Sequence, residues 1–112
     1  MMSDMTPSSG RVRHIVLFAL KQGTTSEDVE TIAKGFVHLR DDIPQIRSIE
    51  WGHDISPENR QGGHTHAFLV TFDSEADRDA YLPHPARKAF LSDVLRPHLD
   101  RATVVDYVAR EG

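Results

Sequence analysis

The stretch Val12-Arg13-His14-Ile15-Val16-Leu17-Phe18-Ala19-Leu20 decides the fold. It is rich in β-branched and aromatic residues. A strand period of two sorts it into His14, Val16, Phe18 and Leu20 on one face and Ile15, Leu17 and Ala19 on the other. Both faces are mostly apolar, so this strand requires cover on two sides. Upstream, residues 1–11 are polar and punctuated by Pro7 and Gly10. They predict a flexible N-terminal tail, with a single domain over 12–110.

Working outward, Thr24 followed three residues later by Glu27 fits a capping box, and Val29, Ile32, Ala33, Phe36 and Val37 repeat at helical spacing until Pro44 forbids continuation. Residues 46–54 alternate as a strand with Ile49 and Trp51 on one side, and SPENRQGG after them reads as a loop. At 64–72, HTHAFLVTF places His64, His66, Phe68, Val70 and Phe72 on one face and Ala67 and Leu69 on the other. Ser74 with Asp77 caps a helix through about Tyr81. Pro83-His84-Pro85 interrupts it, and it resumes from Ala86 to about Leu95 with Phe90, Leu91, Val94 and Leu95 inward. Residues 102–109 close the chain as a strand, with Val104, Asp106 and Val108 on one face and Val105 and Tyr107 on the other.

Strand, helix, strand, strand, helix, strand is the split βαβ order of a ferredoxin-like α+β domain with a four-stranded antiparallel sheet. Its two helical segments cover one sheet face, yet three of the strands are apolar on both. The second face therefore predicts a face-to-face homodimer that forms a dimeric α/β barrel.

At 112 residues the chain holds one core of modest size, with 38% hydrophobic content. A net charge of -4 gives no electrostatic footprint for nucleic acid or an anionic membrane, so neither partner is expected. No Cys is present, which excludes disulfides, thiol nucleophiles and Cys-ligated metal centres. The first residues lack the basic-then-apolar pattern of a secretory signal, and no segment reaches membrane-spanning length, so a cytoplasmic location is expected. There is no Gly-rich phosphate loop, no GxSxG and no HExxH. The compositional excess is seven His, the side chain best suited to proton transfer near neutral pH. His64 and His66 at i and i+2 could ligate a divalent ion with a third ligand such as His53. Two imidazoles are also what any strand carrying two His presents, so no metal is assigned and no cofactor is expected.

Together, VRHIVLF at 12–18, the Ile43-Pro44 helix stop, Trp51-Gly52, Gly63-His64-Thr65-His66 entering a strand, TFDS at 71–74 and Tyr81-Leu82-Pro83-His84-Pro85 resemble the stress-responsive A/B barrel (Dabb) family. The likeness runs from about Arg13 to Tyr107. It implies a small dimeric α+β barrel of ferredoxin-like topology. Some members of that family are stress-induced proteins, and one plant member is a polyketide cyclase that closes an aromatic ring by aldol condensation. In that cyclase a Tyr and a His from the helical break do acid–base work in a cavity between sheet and helices, with further His on the first and third strands. Carried over position by position, these are Tyr81, His14 and His66. The general base is the second His of a His-Pro-Ala-His motif, which here reads His84-Pro85-Ala86-Arg87.

An Arg at that position stays protonated and cannot act as a base near neutral pH. It suits instead the binding of a carboxylate or the stabilisation of an enolate, and Asp106 is expected to hold it by a bidentate contact. The expected cavity thus uses His66 and Tyr81 for any chemistry, and His14, Phe36, Trp51, Phe68, Arg87, Phe90 and Asp106 for ligand contact. Two functions stay open. One is a homodimer that binds a small hydrophobic or aromatic acid; the other is a cofactor-independent enzyme, polyketide cyclase-like or monooxygenase-like, working through Tyr81 and His66.

Overall fold

A computed structural model describes residues 8–110. The elements are β1 (Ser8–Leu20), α1 (Ser26–Asp42), β2 (Ile46–His53), β3 (His66–Phe72), α2 (Glu75–Tyr81), α3 (Pro85–Phe90) and β4 (Leu99–Arg110). A π-helical turn, Leu91–Leu95, and a 3-10 turn, Arg96–His98, join α3 to β4. The strands form one antiparallel sheet in the order β2-β3-β1-β4, which is the ferredoxin-like arrangement. Among the described residues no helix is long and apolar enough to cross a membrane.

Several boundaries differ from the sequence reading, among them β4, which starts at Leu99 and not at residue 102. β1 begins at Ser8, four residues into the expected tail, because β4 runs on to Arg110 and offers Ser8 a pairing partner. Gly10 makes this possible by taking φ +74 within the register shift between Ser8 and Val12. The rest of that tail, residues 1–7, lies outside the described residues. The cap of α1 is Thr25 with Asp28 in a reciprocal capping box, not Thr24 with Glu27. Thr24 is used in the preceding turn, where its hydroxyl donates to the Lys21 carbonyl at 2.7 Å. β3 starts at His66, leaving His64 and Thr65 in the loop before it.

Pro44 ends α1 as expected: Ile43 turns extended (φ -122) and buries its side chain completely. α1 rests on the sheet through Ile32, Ala33, Phe36 and Leu39, which meet Val16 and Phe18 of β1 and Phe68, Val70 and Phe72 of β3 in one core. Its centre is aromatic, with Phe36 stacked on Phe68 at 4.7 Å and edge-on to Phe90 at 5.3 Å. Gly35 lets α3 come this close, since a Cβ there would lie 2.8 Å from the Phe90 ring. Among the described residues no helix covers the opposite sheet face. Ile15 and Leu17 are half-buried there, while Val105 and Tyr107, which pair with Ile15 and Arg13, are 53% and 45% exposed.

Candidate functional site

The site begins with strand register. His14 of β1 lies directly opposite Asp106 of β4, and residues opposite one another in a sheet share a face. His14 Nδ1 is 2.7 Å from Asp106 Oδ1. The other carboxylate oxygen accepts from Arg78 Nη1 at 2.8 Å, and Arg78 Nε donates to Asp79 at 2.8 Å. Arg78 belongs to α2, as does Tyr81 three residues later on the same side of the helix. The Tyr81 ring stands edge-on to His14 at 5.7 Å and packs on Phe72 at 5.0 Å.

The helical break then turns the chain back. His84 caps α3 by accepting from the Ala86 N–H at 3.1 Å, with Pro85 as the first helical residue. One turn of α3 brings Arg87 over the Tyr81 ring, 5.1 Å from its centroid. Arg87 Nη1 donates to the Leu82 carbonyl at 2.9 Å, while Nε is buried without a partner. Among the described residues no carboxylate lies within ion-pair distance of this guanidinium.

These groups line a cavity of about 180 Å³ between the sheet and the helical side. His14, Tyr81 and Arg87 are its polar wall, and Val16, Phe18, Phe36, Leu91 and Leu95 its apolar wall. Exposed Arg96, Ala102 and Val104 form the rim. Burial holds the His14 imidazole below its ordinary pKa of 6.5; Asp106 opposes this through its hydrogen bond and charge, while Arg87 and Arg78 add to the lowering. His14 is therefore neutral near pH 7, with Nδ1–H donated to the Asp106 side chain. Its Nε2 has no protein partner among the described residues. Burial pushes the Tyr81 phenol up, with Arg87 opposing and Asp106 adding to the rise, so Tyr81 stays a neutral donor.

Of the expected site residues, the structure gathers His14, Phe36, Tyr81 and Arg87 around this cavity. Asp106 adjoins it but holds His14 and Arg78 rather than Arg87, because the β1–β4 register delivers its carboxylate to His14 first. Phe68 and Phe90 lie in the aromatic core beside the cavity and do not line it. His66 is not with Tyr81: it pairs with Phe18, four positions along β1 from His14, or roughly 13 Å at strand rise. There its ring stacks on Trp51 at 6.4 Å and lies tilted to His53 at 6.5 Å. Trp51 lies flat on Phe68 at 5.5 Å and is 37% exposed over a groove beside α1, outside the cavity.

His53, His64 and His66 border a second hollow of about 350 Å³ at that far end of the sheet. His64 is engaged at both ring nitrogens, by the Gln61 carbonyl and the Thr103 hydroxyl. Among the described residues no three His, Asp or Glu side chains are grouped to hold a metal ion. Arg78 is the site residue that sequence reasoning missed. Its one signal was a spacing of three before Tyr81, which any polar helix residue shares.

A family profile described as the stress responsive A/B barrel domain matches residues 12–109. The stress-response A/B barrel domain-containing protein HS1 of Arabidopsis thaliana is 35% identical over 92% of this chain and 94% of its own length. Olivetolic acid cyclase of Cannabis sativa is 32% identical over 89% of this chain and 98% of its own. Among solved structures, the hydroxynitrile lyase from Passiflora edulis superposes with a TM-score of 0.84 at 28% identity, covering 93% of this chain and 97% of that one. A dimeric ferredoxin-like protein from Bacteroides fragilis does so with a TM-score of 0.70 at 28% identity, covering 91% and 99%. Sequence, topology and the matched span agree, and the chain belongs to the stress-responsive A/B barrel family.

Proposed function

We propose that the protein is a homodimer whose protomers each bind a small aromatic or hydrophobic acid in the His14–Tyr81–Arg87 cavity. The observation that carries this reading is Arg87. A permanently charged guanidinium borders an apolar cavity with one nitrogen buried and unpaired and, among the described residues, no carboxylate within ion-pair distance. An anionic ligand supplies the missing partner, because desolvated charge is costly until it is paired. Size sets the class: about 180 Å³ is slightly more than the roughly 150 Å³ that accommodates benzene, so one ring with a small substituent fits. The uncovered apolar sheet face supports the dimer, as does the dimeric relative from Bacteroides fragilis.

Calorimetric titration with benzoate and the neutral benzamide tests the binding. Benzoate is expected to bind the wild type more tightly, and Arg87→Met to weaken benzoate roughly 10- to 100-fold while leaving benzamide nearly unchanged, the range for hydrogen bonds to a charged group. An equal loss for both probes would sink the reading.

A further inference from the structure

We infer that the cavity selects aromatic acids that carry a second carboxylate, with Arg87 holding the first inside and Arg96 meeting the second at the mouth. The inference rests on the cavity being a binding site for small acids and narrows the class of ligand. Three observations carry it, and the first is charge. The cavity lining contains two arginines and no carboxylate. His14 is neutral near pH 7, so the walls offer the two guanidiniums no compensating charge. The whole chain has a net charge of -4, which makes this a local excess of positive charge in an acidic protein. A cleft lined by one sign of charge between low-dielectric walls concentrates ions of the opposite sign.

Second, the neighbouring acids are committed elsewhere. Among the described residues neither Arg87 nor Arg96 has a carboxylate within ion-pair distance. Asp106 is held by His14 and Arg78, and Asp100 lies beside Arg101. Asp93, three residues before Arg96, makes no ion pair with it.

Third, size and backbone place Arg96 just beyond the volume that a ring fills. About 180 Å³ takes one ring with a small substituent, so a further substituent projects through the mouth. The π-helical turn Leu91–Leu95 sets both of its leucines on the cavity wall, and Arg96 follows at the rim. Pro97 has no backbone N–H to continue the helix, which ends in the 3-10 turn Arg96–His98 and keeps Arg96 at that rim. The two guanidiniums then respond differently to salt. Arg87 has a nitrogen buried without a partner, whereas Arg96 is exposed, so added ions screen the second contact more than the first.

Isothermal titration calorimetry tests this with isophthalate against 3-carbamoylbenzoate, which has the same shape and one carboxylate fewer, and with terephthalate against 4-carbamoylbenzoate. In about 20 mM salt the wild type is expected to bind the better dicarboxylate about fivefold more tightly than its carbamoyl counterpart, the upper range for an ion pair at an exposed rim. In about 1 M sodium chloride, where the Debye length is about 3 Å, that preference is expected to fall below about 1.5-fold. Arg96→Met is expected to remove the preference at low salt, and Arg96→Lys to retain part of it. Arg87→Met is expected to weaken both members of each pair, because the first carboxylate is common to them.

Benzoate bound with no preference for either dicarboxylate would overturn the inference and leave the acid-binding reading standing. A preference that survives high salt, or that persists in Arg96→Met, would remove Arg96 from the site and sink the inference. Failure of the wild type to bind benzoate or either dicarboxylate would overturn both.

Discussion

At the scale of single residues, His14 shows how burial and pairing set a protonation state. The residue is 2% exposed, and the Asp106 carboxylate beside it does not offset the cost of burying a second charge. Stability follows from this. A His whose folded pKa lies below its unfolded 6.5 binds fewer protons when folded, so its contribution is complete above about pH 6.5 and is lost as pH falls through that value toward the lower folded pKa. His66 is shifted in the same direction, by burial first and His53 second. Asp28, held low by its cap hydrogen bonds to Thr25, keeps its contribution above the carboxylate range and loses it only as pH falls through that range, so it does not add to the loss between pH 7 and pH 5. The wild type is therefore expected to lose stability between pH 7 and pH 5, and His14→Asn to show a shallower loss in urea titrations across that range. An unchanged slope would mean that His14 is not held neutral.

At the scale of elements, the helical break decides the site. Had α2 continued past Tyr81, residue 87 would have advanced along the same axis instead of folding back over the Tyr81 ring. Pro83 and Pro85 prevent that continuation, and His84 caps the restart. α3 is then held against α1 by close approach at Gly35. Gly35→Ala places a methyl group into the Phe90 ring, costing about 1–3 kcal/mol in overpacking. Better helix propensity returns about 1 kcal/mol. A net loss of about 1 kcal/mol is expected, read as a lower urea midpoint at unchanged m-value. A gain in stability would show that α3 moves away freely.

At the scale of the whole molecule, the sheet is the element shared by both proposed functions. Its inner face builds the core and cavity, and its outer face presents Ile15, Leu17, Val105 and Tyr107 with no covering helix among the described residues. A charge there should act on assembly and not on the cavity wall. Val105→Glu is expected to convert the dimer to a monomer in sedimentation velocity, with a lower melting temperature because an apolar face is returned to water. A wild type that sediments as a monomer, or a variant that stays dimeric, would remove this face from the interface.

Much of the fold was written locally. The two-faced apolar alternation of 12–20, the helix stop at Pro44, the cap at Ser74 and the break at Pro83–Pro85 are short-range signals. They sufficed for the element order and the ferredoxin-like class, because backbone sterics and period fix elements within a few residues. Errors at this level were small, such as the cap displaced from Thr24 to Thr25, where neighbouring hydroxyls compete for the same role. His14, Tyr81 and Arg87, which the resemblance to the family singled out, line one cavity. What no local pattern carries is register and distance along strands. Tertiary structure alone gave Asp106 to His14 and Arg78 instead of to Arg87, and set His66 and Trp51 at the far end of the sheet. The physical reason is that alternation specifies which face a side chain takes, whereas long-range strand pairing specifies which side chains meet.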